Sequence, residues 1–62
     1  MKYTLKELRA RKNITQVQAA EGLNVSHTTY RLWETNLSKL PAFKLKKIAD
    51  FFDAEFEELK IF

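Results

Sequence analysis

The residues with most to offer chemically lie between Ser26 and Lys39. His27, Thr28 and Arg31 carry hydrogen-bond donors and acceptors, Leu32 is a bulky apolar group among them, and their spacing places them on one side of a helix. A guanidinium can donate to guanine or to phosphate, and a hydroxyl can pair with either kind of base edge. An imidazole can donate or accept, and an isobutyl group can only meet a thymine methyl. Such a face suits recognition rather than catalysis, because no polar pair in the chain sets a nucleophile beside a base. Zero Cys and a single His exclude disulfides, thiolate zinc sites and His clusters, so no metal or cofactor is expected.

For these side chains to stand outward, their helix must be held from behind. Tyr30 and Trp33, at i and i+3, supply the inner face of a helix running from His27 to about Thr35, capped by Ser26. With the core direction set between those two rings, steps of about 100° per residue leave Thr28, Arg31 and Leu32 opposite and His27 at the edge.

The preceding helix is capped by Thr15 and lined by Val17, Ala20 and Leu23. The two helices are joined across Leu23-Asn24-Val25-Ser26, which is too short for an antiparallel pair, so they must cross steeply with small Ala20 at the crossing. Asn24 tolerates the positive φ that such a turn needs, and Val25 anchors the chain just after it. This is a helix-turn-helix arrangement, and it leaves the far side of its second helix proud of the protein.

Three further helices complete the reading. The first runs from about Thr4 to Lys12, with Glu7 three residues after the Thr4 cap and Asn13 as a left-handed stop. Another opens at Pro41, buries Leu45, Ile48, Ala49 and Phe52 at i, i+3, i+4, i+7, and stops at Asp53. The last, about Glu55 to Lys60, turns Phe56 and Leu59 inward. Asn36 is expected to close the third helix in the same left-handed way. No strand pattern competes, and the expected core is Leu5, Leu8, Ile14, Val17, Ala20, Leu23, Val25, Tyr30, Trp33, Leu45, Ile48, Ala49, Phe52, Phe56 and Leu59.

At 62 residues the chain makes one domain, 1–62, and such a domain buries roughly 60% of its unfolded surface, too little for a large catalytic cleft. Hydrophobic residues at 45% and charged residues at 31% fit a globular chain rather than a disordered tail or a membrane span. Charges recur through the first twelve residues, so no secretory signal is read there and a cytoplasmic location is expected. The net charge of +3 is unevenly spread: residues 1–40 carry seven Lys/Arg against three Glu, whereas the last thirteen residues carry a net −4. A molecule polarised this way presents its basic part to a polyanion and turns its acidic end away.

Ile14-Thr15-Gln16, Ala20-Glu21, Leu23-Asn24-Val25-Ser26, Trp33-Glu34 and Lys47-Ile48-Ala49 together resemble the lambdoid phage repressor and Cro family, with spacing kept from Leu5 to Leu59. The resemblance implies an all-α, five-helix domain that inserts its third helix into the DNA major groove. It also implies base contacts from His27, Thr28 and Leu32. Arg31 is left between guanine and phosphate. Gln16 is similar to the family's phosphate-binding glutamine, and Ser26, Thr29, Asn36, Ser38 and Lys39 are expected to hold the DNA backbone. Arg9 and Glu34 fall where the family often has an ion pair between the first and third helices. The plainer alternatives are exposed surface side chains at Gln16, His27 and Glu34. The chain departs from the family in having Asn13, Asn24, Asn36 and Asp53 at turns that are commonly Gly, and in Ala19, Gly22 and Trp33.

One helix-turn-helix reads only a few base pairs, so a near-palindromic operator bound by two copies about 34 Å apart is expected. Phe43, Phe51, Ile61 and Phe62 are not all placed by helical spacing, which leaves a homodimer contact through the C-terminal helices, or a Phe62 folded back on its own core. The function implied is a transcriptional repressor of phage or mobile-element type that occupies an operator and blocks polymerase. The rival is a protein-interaction module, such as an antitoxin-like helical partner.

Overall fold

A computed structural model describes residues 2–61, and within them four α-helices form: α1 (Leu5–Lys12), α2 (Gln16–Gly22), α3 (His27–Thr35) and α4 (Ala42–Phe51). Each of the first three starts on a hydroxyl. Thr4 Oγ1 accepts from the Glu7 N–H at 3.1 Å while the Glu7 carboxylate accepts from the Thr4 N–H at 2.8 Å. Thr15 and Gln18 repeat this reciprocal box at α2, and Ser26 Oγ accepts from the Thr29 N–H at α3. Pro41 sits one residue ahead of α4, where its carbonyl accepts from Lys44 and Leu45.

The turns use side chains that tolerate left-handed backbone. Asn13, Asn24 and Asp53 have φ of 57°, 61° and 56°. Asn36 does not join them: its φ is −156°, an extended conformation. Its Oδ1 instead accepts from the Ser38 N–H at 2.9 Å and the Ser38 hydroxyl at 2.6 Å. That local turn steers Leu37, absent from the expected core, into full burial.

The expected fifth helix is a single 3-10 turn at Phe56–Glu58. The chain gives up further helix because Leu59 must be buried with extended backbone, where it forms a parallel bridge with Tyr3. Tyr3 N–H donates to Glu58 at 2.7 Å and Lys60 N–H donates to Tyr3 at 2.8 Å, so the two ends of the described chain are tied together. Phe56, expected inside, is 36% exposed on that short turn.

Around the core of Leu5, Leu8, Tyr30, Leu45, Ile48, Ala49, Phe52 and Leu59, α2 contributes Ala19 and Ala20. Val17 was expected there but is 47% exposed, because the inward face of α2 is set by the two alanines. Ile14, Leu23, Val25 and Trp33 pack against the core while only partly buried. Phe51 and Ile61 pack there too, Phe43 stays outside, and Phe62 lies outside the described residues.

Gly22 owes its identity to Phe51. A Cβ at position 22 would overlap the Phe51 ring, with Cζ 2.5 Å away. Gly22→Ala gains about 1 kcal/mol of helix propensity but overpacks the α2–α4 contact by about 1–3 kcal/mol. A net loss of about 1 kcal/mol in urea unfolding is expected, reversed when Phe51→Leu is added. Equal effects of Gly22→Ala with and without Phe51→Leu would show that the ring is not what excludes a side chain there.

Candidate nucleic-acid interface

The third helix is sharply two-sided. Tyr30 is completely buried and Trp33 half-buried, while His27, Thr28, Arg31 and Leu32 are exposed, Leu32 at 63%. None of the Thr28, Arg31 and Leu32 side chains takes part in a hydrogen bond among the described residues, so their outer groups are available to a ligand. Two donors and an apolar group thus share one solvent-facing surface, and an α-helix of this width fits a DNA major groove.

The flanking polar residues differ in how committed they are. Ser26 Oγ caps α3 and donates to Thr29 Oγ1 at 2.9 Å, and Thr29 itself is half-buried. Asn36 and Ser38 are occupied with each other in the turn after α3. Lys39 is exposed beside them and carries the positive charge of that loop.

Beneath this face a polar network joins three helices. Arg9 Nε donates to Glu34 Oε2 at 2.8 Å, with only 20% and 10% of the two side chains exposed. Arg9 Nη1 also donates to the Ile14 carbonyl at 3.2 Å, which fixes the guanidinium against the chain entering α2. The second carboxylate oxygen, Glu34 Oε1, accepts from Gln16 Nε2 at 2.9 Å. Gln16 Oε1 in turn lies 3.1 Å from His27 Nε2. The buried Tyr30 hydroxyl sits by this group without a hydrogen bond of regular geometry.

Burial alone would push the Glu34 carboxyl up, but hydrogen bonds from Arg9 and Gln16 outweigh it and hold the group below its ordinary range. Desolvation pushes the Tyr30 hydroxyl far above its ordinary value. The angle of α3 is therefore set by an ionised pair at one side and by the aromatic core beneath. Gln16, expected to face phosphate, uses its oxygen and one amide N–H within the protein and keeps a second N–H to offer. The Gln16–His27 contact had no signal in the sequence: the two residues are eleven apart and meet only because α2 and α3 cross.

A family model described as Helix-turn-helix matches residues 5–59. The HTH-type transcriptional activator BcrR of Enterococcus faecalis is 42% identical over 55 residues, which cover 89% of this chain and 27% of that protein. The chain thus spans about a quarter of the length of that relative. No solved structure matches it.

Proposed function

The chain belongs to the helix-turn-helix family, and from that premise we propose that it is a sequence-specific DNA-binding regulator of transcription, of the repressor and Cro type, that reads an operator with the outward face of α3. The observation that carries this reading is the division of α3 between a buried Tyr30 and an exposed His27, Thr28, Arg31 and Leu32. His27, Thr28 and Leu32 meet base edges, and Arg31 donates to guanine or phosphate. Gln16, Ser26, Thr29, Asn36, Ser38 and Lys39 hold the DNA backbone through phosphate, contacts that by themselves carry no sequence information.

By occupancy alone such a domain represses when its site overlaps a promoter. Activation, the property named for the relative, needs a further contact with the transcription machinery. Two copies on a near-palindromic operator supply enough base pairs for specificity, and Phe43 and Phe56, exposed on the C-terminal elements, offer apolar surface for a homodimer.

Selection of bound duplexes from a random pool tests this reading directly. A symmetric consensus is expected, with Kd rising by roughly one power of salt concentration for each phosphate contacted. Lys39→Ala should weaken binding to all duplexes alike and lower that salt slope by about one. No enriched sequence and a flat salt response would assign the exposed face to a protein partner instead.

A further inference from the structure

The network behind α3 decides more than its angle, because hydrogen-bond polarity propagates along it. Both oxygens of ionised Glu34 can only accept. Oε2 is taken by Arg9 at 2.8 Å, and Oε1 therefore requires the amide nitrogen of Gln16, 2.9 Å away. With its nitrogen turned to Glu34, Gln16 must present its oxygen to His27 Nε2, 3.1 Å away. An amide oxygen accepts and never donates, so His27 must carry its proton on Nε2. In the neutral ring Nδ1 is then an acceptor, and it has no partner among the described residues.

We propose that Glu34, acting through Gln16, locks His27 as the Nε2–H tautomer and so makes its free Nδ1 an acceptor for the amino group of adenine or cytosine, which fixes the strand that carries that base in the pair it meets. The proposal rests on the reading of α3 as the base-contacting helix. In the major groove adenine N6 and cytosine N4 are amino donors, whereas guanine and thymine present only acceptors and a methyl group. An unconstrained imidazole would donate from Nδ1 in part of the population and blur that choice. Gln16 is here a positioning residue: it fixes the polarity of a group that touches DNA.

His27 is the only histidine, so ring nitrogen signals in a 15N-labelled sample need no assignment. At about pH 8, where free imidazole is neutral, the folded, DNA-free chain should show Nε2–H to a greater extent than the same chain unfolded in urea. Gln16→Met, which keeps length and removes both hydrogen bonds, should return the folded chain to the unfolded ratio. Circular dichroism verifies its fold, and the unaltered chain is informative without it. A folded tautomer ratio equal to the unfolded one, or a majority of Nδ1–H, overturns the lock.

Duplex selection then reads the consequence. At the base pair whose preference disappears in His27→Ala, deleting the exocyclic amino group of its adenine or cytosine should weaken binding of the unaltered chain, whereas replacing the purine N7 by carbon should not. Gln16→Met should cut the preference there by about five- to tenfold and leave the positions read by Thr28 and Arg31 sharp. Binding that is insensitive to loss of that amino group, or no loss of preference with Gln16→Met, overturns the selection claim. A chain that shows the locked tautomer but enriches no sequence would instead refute the DNA-binding reading, so the two failures are separable.

Discussion

With Thr28→Ala and Arg31→Ala combined, the chain is expected to melt within a degree or two of the unaltered protein and to lose about 100-fold or more in discrimination between its selected operator and unrelated duplex. The two halves of that result have separate physical origins. Both side chains are exposed and neither forms a side-chain hydrogen bond among the described residues, so their removal strands no polar group. Exposed substitutions of this kind stay within about 0.5 kcal/mol, and Ala raises helix propensity at both positions. Discrimination falls because each good base contact is worth about 1–3 kcal/mol against the wrong base. Competition of a labelled operator with scrambled duplex, beside a thermal melt followed by circular dichroism, measures both. Parallel loss of fold and binding would mean that these side chains hold the helix rather than read the groove.

Arg9→Met should have the largest effect on stability, about 2–3 kcal/mol at neutral pH, because it leaves the Glu34 carboxylate mostly buried with only Gln16 to satisfy it. For a domain of this size that is a large share of the total. Adding Glu34→Leu should restore most of the loss, since the cost lies in the stranded charge rather than in the absence of a pair. The pH dependence follows from the direction of the Glu34 shift. Its folded pKa is held below the ordinary 4.5, so its contribution is complete above that value and disappears as pH falls through the folded pKa. In Arg9→Met burial has lost its main opponent, with the Gln16 hydrogen bond left to counter it, and the balance moves toward the neutral acid. The gap between the two proteins should therefore narrow on acidification below about pH 4.5. Urea midpoints at neutral and acid pH test this, and a gap that does not change with pH would trace the loss to the packing of the Arg9 stem.

Whatever depends on neighbours within one helical turn is legible in the order of the residues. The caps at Thr4, Thr15 and Ser26, the left-handed stops at Asn13, Asn24 and Asp53, and the buried stripe of Leu45, Ile48, Ala49 and Phe52 are local choices of backbone and burial, so their residue types announce them. The exposed side of α3 follows from the same periodicity, once Tyr30 and Trp33 are recognised as its inner face. The remainder comes from the packing of one helix on another. Asn36 turns extended because Leu37 has a core site to fill, and Leu59 leaves the helix because Tyr3 offers it a backbone partner. Val17 and Phe56 are displaced outward because Ala19, Ala20 and Leu59 already occupy the inward positions. Gly22 is required by a ring twenty-nine residues away, and His27 is met by Gln16 only where two helices cross. Capping and periodicity act over a few residues along the chain, whereas these contacts depend on how whole helices pack, a geometry fixed when the complete core closes.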